Sequence, residues 1–225
     1  LPLLGQGTWN MGERPAQRKE EIAALRAGIE LGMRVIDTAE MYGDGRAESL
    51  VGEATAGLRD EVFLVSKVLP ANASRGGVSR ACEASLKRLK TDRLELYLLH
   101  WSSSHPLGET VRGFEDLLAA GKIRYWGVSN LDLGEMKALA KLSGGKTCAA
   151  NQVLYNLMRR GIEFDLLPWC RRHGMPVMAY SPVEQGRLLG NKVLREVAQR
   201  LGATPAQVAL AWVLRRKGVV AIPKA

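Results

Sequence analysis

Short apolar runs and longer amphipathic stretches alternate along the chain from one end to the other. Residues 34–37, 62–67, 94–100, 123–129, 149–153, 176–180 and 219–222 read as strands, and Gly5-Gln6-Gly7-Thr8-Trp9 as a short first strand with its exit. Between them, stretches with apolar residues at helical spacing predict helices over 19–31, 47–56, 78–89, 110–120, 133–142, 164–173 and 205–216. In the first of these the apolar positions are Ile22, Leu25, Ala27 and Ile29. Near-continuous apolar strands such as Leu96-Tyr97-Leu98-Leu99 suit a sheet covered on both faces, and strand–helix alternation implies parallel pairing. The fold class is therefore α/β.

Element ends carry their own chemistry. Thr204-Pro205 offers a cap followed by proline at the first helical position, and Asp132 can cap a helix whose first turn contains Glu135. Gly32, Gly57, Gly121, Gly174 and Gly218 each stand between a helix and the next strand, where helices commonly terminate. No linker or low-complexity stretch interrupts the alternation, so a single domain is expected over residues 1–225. A further helical stretch at 191–200 has no place in the strand–helix count.

Composition narrows the class. A chain of 225 residues with 46% hydrophobic and 24% charged residues can bury one core of its own, as an ordinary soluble enzyme does. No apolar run approaches the roughly 18 residues a membrane helix needs, and the opening Leu1-Pro2-Leu3-Leu4-Gly5 does not read as a secretory signal, so a cytoplasmic location is expected. Cys82, Cys148 and Cys170 are far apart, without Cys-x-x-Cys or a histidine at ligand spacing. Buried free thiols are expected rather than disulfides or a metal site. The net charge of +9 is spread over helix faces without a basic run, which argues against a nucleic-acid groove and for a solvated exterior that favours anionic small molecules.

Chemistry concentrates where strands stop. The stretch from Gly32 to Gly43 runs a strand into Asp37 and reaches Tyr42 five residues later; the next strand runs into Lys67 and the one after into His100. Singly, each has a plain explanation: a turn cap, a rim aromatic, a solvated strand end, a core histidine. Together they deliver four proton-handling side chains to successive strand ends.

These residues, with Asp37-Thr38-Ala39-x-x-Tyr42-Gly43, Gly127-Val128-Ser129-Asn130, Gln152, Tyr180-Ser181-Pro182 and Ile222-Pro223-Lys224 in the same order, resemble the aldo-keto reductases over nearly the whole chain. The resemblance implies a (β/α)8 TIM barrel, with Asp37, Tyr42, Lys67 and His100 as its catalytic set and no metal. Set beside that family, residues 1–225 are expected to form the barrel without the N-terminal hairpin that plugs its bottom and without its last helix. Such a barrel gathers residues from different strands at their carboxyl ends. Tyr42 is then the general acid for a carbonyl reduced by hydride, Lys67 eases proton release from the phenol, Asp37 keeps the lysine charged and aimed, and His100 orients the carbonyl oxygen.

The implied cofactor is NADP, as NADPH. Ser129, Asn130 and Gln152 carry hydroxyl and amide groups suited to a carboxamide, and Tyr180 a ring for stacking, although a turn residue and a core aromatic are the plain readings of Asn130 and Tyr180. Ser181 belongs to the same set. The resemblance puts Thr8 near the nicotinamide, Trp9 on the substrate pocket and Lys224 at the adenosine 2′-phosphate; Trp101, directly after His100, is a second candidate pocket wall, with a core or rim aromatic as its plain reading. Ala225 stands where a serine is usual, so one hydroxyl partner is absent. No Gly-x-Gly-x-x-Gly opens a helix, which excludes a Rossmann cradle. The partners expected are a small-molecule carbonyl substrate and no nucleic acid or membrane, with the chain a monomer. A non-catalytic NADP-binding sensor on the same barrel is the alternative.

Overall fold

The strand order of the sheet follows the chain, and its first and last strands meet. In the computed structural model, which describes residues 2–225, the elements run β1 (Gln6–Gly7), α1 (Arg18–Glu30), β2 (Val35–Asp37), α2 (Arg46–Ala54), β3 (Phe63–Val68), α3 (Arg75–Leu89), β4 (Leu94–Leu99), α4 (Leu107–Ala119), β5 (Ile123–Ser129), α5 (Leu133–Leu139), β6 (Asn151–Leu154), α6 (Leu166–Arg172), β7 (Val177–Tyr180), α7 (Lys192–Arg200), α8 (Pro205–Leu214) and β8 (Val219–Ile222). All neighbouring strands are parallel. The seam between the two ends is closed by backbone bonds from Gly5 N–H to the Ala221 carbonyl (2.8 Å), from Ala221 N–H to the Leu3 carbonyl (2.9 Å) and from Gly7 N–H to the Pro223 carbonyl (2.6 Å). The expected (β/α)8 barrel is present.

Side chains alternate across each strand, and here the alternation separates two cores. Ile36, Leu64, Tyr97, Leu99, Trp126 and Val128 point outward into a cluster shared with Leu25, Leu50, Leu86 and Phe114 of the helices. Val35, Val65, Leu96, Leu98, Met178 and Val220 point inward and fill the lower lumen. Asp37, Lys67, His100, Gln152 and Tyr180 each lie two residues, or one pleat, beyond a residue of the lumen cluster (Val35, Val65, Leu98, Ala150 and Met178), and Ser129 lies two beyond Gly127. The parity that buries a valine at the bottom therefore presents a polar group at the top.

Both predicted caps form capping boxes, Asp132 with Glu135 and Thr204 with Gln207. Two helices begin a turn earlier than periodicity predicts: α3 at Arg75, capped by Ser74, and α4 at Leu107 after Pro106. Their first turns, Arg75-Gly76-Gly77 and Leu107-Gly108-Glu109, are rich in glycine and charge and carry little periodic apolar signal. Gly32 and Gly218 have φ of 90° and 84°, a backbone that side chains with a Cβ rarely adopt, so the exits of α1 and α8 need glycine. The unplaced stretch becomes α7, which packs on α8 outside the barrel, where Leu194 meets Leu188 and Ala209. All three cysteines are buried. Among the described residues no helix is long and apolar enough to cross a membrane.

Candidate functional site

A cavity of about 760 Å³ opens at the carboxyl ends of the strands. Of the residues singled out in the sequence, Thr8, Trp9, Asp37, Tyr42, His100, Trp101, Ser129, Asn130, Gln152, Tyr180, Ser181 and Lys224 line it. Lys67 does not: it is fully buried beneath the floor. Trp9 and Trp101 form an exposed aromatic rim, at 47% and 40% exposure.

Lys67 spends every hydrogen it has. Its Nζ donates to Asp37 Oδ2 at 2.8 Å, to the Thr38 carbonyl at 2.7 Å and to the Tyr42 hydroxyl oxygen at 3.2 Å. Burial by itself lowers the lysine pKa, but the Asp37 carboxylate and Tyr42 outweigh burial and hold it above the ordinary value. Tyr42 is brought there by the turn after β2, where Gly43, Asp44 and Gly45 all have positive φ and reverse the chain into α2. Since the phenol oxygen accepts from Lys67, its own hydrogen is left for an acceptor in the cavity.

The net effect on the phenol differs from the sequence expectation. Burial raises the Tyr42 pKa, Lys67 lowers it and Asp37 raises it again, and the balance stays above the ordinary value. Lys67 acts in the expected direction but is outweighed, so Tyr42 is a neutral phenol with its proton in place.

His100 is pushed down to about 3, first by burial and then by the Lys67 charge, and so is neutral near pH 7. Its Nδ1 is buried without a partner among the described residues. A neutral imidazole has one N–H, and placing it on Nε2 avoids a buried, unmatched donor. The ring stacks on Trp101 with centroids 3.9 Å apart and meets Tyr42 edge-on at 5.8 Å.

The second group is knitted together. Tyr180 donates to Asn130 Oδ1 (2.9 Å), Asn130 Nδ2 donates to the His100 carbonyl and to Ser129 Oγ (3.1 Å each), and Ser129 donates to the Gln152 carbonyl (2.9 Å). Asn130 and Ser181 hold φ of 61° and 48°, left-handed strain at residues lining the cavity. The amide hydrogens of Asn130 are thus already engaged, contrary to the sequence picture of groups waiting for a ligand. Gln152 keeps more freedom: one N–H goes to Asp37 Oδ1 at 2.7 Å, while Oε1 has no partner among the described residues. Thr8 is buried, with its hydroxyl and its backbone N–H both on the Asp37 carbonyl at 3.0 Å. Lys224 is exposed at the cavity edge.

This donor set fits a nicotinamide dinucleotide: an aromatic face at Tyr180, a free amide oxygen at Gln152, and a cation at the rim for a phosphate. A Cβ added at Gly7, in the cavity wall, would lie 3.2 Å from the Ile222 carbonyl, a tight contact that the backbone there would have to relax to accept. Sequence reasoning missed Asn10, Met41, Val183 and Gln185, which also line the cavity. Met41 was within sight, between the named residues of the Asp37 motif. Gln185 was not: its place depends on left-handed backbone at Glu184 and Gln185 (φ 51° and 55°), which no periodicity signals.

Comparison with known proteins agrees with the geometry. The model of the aldo/keto reductase family matches residues 3–225. Methylglyoxal reductase YeaE of Escherichia coli (strain K12) is 62% identical over 230 residues, covering 100% of this chain and 81% of that protein. Glyoxal reductase of Bacillus subtilis (strain 168) is 34% identical, covering 100% and 78%. An aldo/keto reductase from Klebsiella pneumoniae, solved in complex with NADP and acetate, superimposes with a TM-score of 0.98 at 57% identity, covering 100% of this chain and 81% of that one. With the barrel, the strand-end constellation and these similarities in place, the chain belongs to the aldo/keto reductase family.

Proposed function

We propose that the protein reduces a small aldehyde or ketone to the alcohol with NADPH, and that Tyr42 donates the proton. The observation that carries this reading is the exhaustion of Lys67: with its three hydrogens committed to Asp37, Thr38 and Tyr42, the phenol hydrogen faces the cavity. NADPH, when bound, supplies the hydride that the carbonyl carbon accepts. Tyr42 protonates the developing alkoxide oxygen, and the Lys67 ammonium steadies the phenolate left behind. Neutral His100 donates from Nε2 to the same oxygen and aligns the carbonyl. Thr8, Ser129, Asn130, Gln152, Tyr180 and Ser181 seat the nicotinamide end, with Lys224 on the 2′-phosphate. Trp9 and Trp101 wall off the substrate. The names of the two reductases above point to α-oxoaldehydes, and methylglyoxal and glyoxal are the substrates to try first.

NADPH oxidation measured over a panel of small aldehydes and ketones that includes both tests the reading. Turnover that disappears in Tyr42→Phe is the expected result. Tight NADPH binding with no turnover anywhere in the panel would instead make this a sensor.

A further inference from the structure

Asp37 carries the aim of Lys67, but nothing so far explains what aims Asp37. Among the described residues its carboxylate is held at two points, Oδ2 by Lys67 at 2.8 Å and Oδ1 by the Gln152 amide at 2.7 Å. Gln152 reaches it across the lumen, from β6 to β2, and both side chains are buried, at 2% and 3% exposure. The base of Gln152 is itself fixed, since its carbonyl accepts from Ser129 Oγ (2.9 Å) and from the Asn130 N–H (2.8 Å) on β5. A chain of bonds therefore runs from the edge of the proposed nicotinamide seat, through Gln152, Asp37 and Lys67, to the phenol.

We infer that Gln152 is a positioning residue of the proton-donating unit: its amide fixes the carboxylate that points Lys67 at Tyr42. The inference rests on the reading of Tyr42 as the acid. Without the amide, the carboxylate is free to pivot about its last torsion and a buried oxygen loses the donor that holds it. Lys67 follows the carboxylate, and its bond to Tyr42, the longest of its three at 3.2 Å, is the first to fail. The Gln152 amide can serve Asp37 and a carboxamide at once, because Oε1 and its second N–H are unpartnered among the described residues. Besides Asp37, the titratable groups around this chain are Lys67 and Tyr42, then His100 beside Lys67 and Tyr180 beside Tyr42.

Two substitutions test it. Gln152→Leu should lower kcat at saturating NADPH by roughly tenfold or more, about 1.4 kcal/mol, at every pH. Gln152→Glu should behave differently. While protonated, the introduced carboxyl donates to Asp37 as the amide did, so kcat relative to the parent should be highest at low pH and fall as the pH rises and the added carboxyl gives up the proton it donates. The NADPH dissociation constant, measured by fluorescence, separates any lost cofactor contact from this effect. A reading without turnover comes from ring-labelled tyrosine in cofactor-free protein, followed by carbon NMR with the Tyr42 signal assigned by its loss in Tyr42→Phe. There the phenol titration should move upward in Gln152→Leu. Weakened NADPH binding with unchanged kcat and unchanged Tyr42 titration would overturn the inference and leave Gln152 a cofactor contact. Should Gln152→Leu not fold, Gln152→Glu decides alone, and a pH profile parallel to the parent enzyme would overturn it. If the Tyr42 titration moves while Tyr42→Phe keeps full turnover, the acid role fails and the positioning stands.

Discussion

Ser66 and Lys67 are neighbours on β3, and each serves a buried carboxylate on opposite sides of the sheet. Ser66 faces outward and donates to Glu48 Oε1 at 2.5 Å; Arg88 completes that site by donating to Oε2 at 2.6 Å. Lys67 faces inward to Asp37 at 2.8 Å. Both acids are buried, Glu48 at 0% and Asp37 at 3% exposure, and both are paired with a cation. Yet only the inner pair touches a phenol with a free hydrogen and a cavity beyond it. The outer pair ties α2, α3 and β3 together, and its surroundings are packed side chains. Buried charge is therefore no mark of chemistry by itself; what distinguishes the inner pair is the group it acts on and the access of that group to solvent space.

The comparison breaks most visibly at Tyr42. Phenylalanine keeps the ring and its packing but removes the proton, so kcat should fall by roughly 10² to 10⁴, while NADPH affinity, which depends on other residues, stays as it was. Lys67→Met should lower kcat in the same range, because the phenolate loses its ammonium. Steady-state rates and NADPH fluorescence titration on the same preparations measure both, and undiminished turnover by Tyr42→Phe would remove the inner pair from catalysis.

The outer pair should answer in stability instead. Arg88→Ala leaves Glu48 with Ser66 as its remaining side-chain partner among the described residues, and because the arginine is part-exposed the loss is that of a hydrogen bond to a charged group, about 2 kcal/mol. Urea unfolding should show that loss with an unchanged slope, whereas kcat per folded molecule stays at the parent value. A drop in kcat without a drop in stability would erase the contrast between the two sides of β3.

Much of this arrangement was legible in the sequence. The strand–helix alternation identified every barrel strand, and the positions that end those strands identified the inner acid, its lysine, the phenol and the histidine. Glu48 was not noticed, because a glutamate in an amphipathic helix reads as a solvated face; only packing against Ser66 and Arg88 reveals it as buried. The sign of the Tyr42 shift was also out of reach, since it depends on how far burial outweighs a neighbouring charge. The bond from Gln152 to Asp37 spans 115 residues and needed the closed barrel to appear.

A third cation sharpens the comparison from outside. Lys224 is exposed at the cavity edge, neither buried nor paired with a carboxylate among the described residues. If it holds the 2′-phosphate, Lys224→Ala should weaken NADPH by about 1.5 kcal/mol, the low end for hydrogen bonds to charged groups because the site is wet, and leave NADH nearly unchanged. Equal losses for both cofactors would take the phosphate away from Lys224.

The smallest effect separates the two sides by pH. His100 lies on the inner side with its pKa lowered from an ordinary value of 6.5 to about 3, by burial first and by Lys67 second. Between those values the unfolded chain takes up a proton that the native imidazole refuses, so the native state loses stability as the pH falls through that window and the contribution is complete only above it. Between pH 7 and 5.5 the loss amounts to about 1 kcal/mol. His100→Gln keeps a polar side chain but has nothing to titrate, so its stability should fall less over the same interval, by that amount. Carboxylates and outer-side groups titrate alike in both proteins and cancel in the difference. Urea midpoints at the two pH values, compared at constant slope, give the number. Parallel pH dependences in the two proteins would mean that native His100 takes up its proton at the same pH as the unfolded chain, and the downward shift by burial and Lys67 would fall with that result.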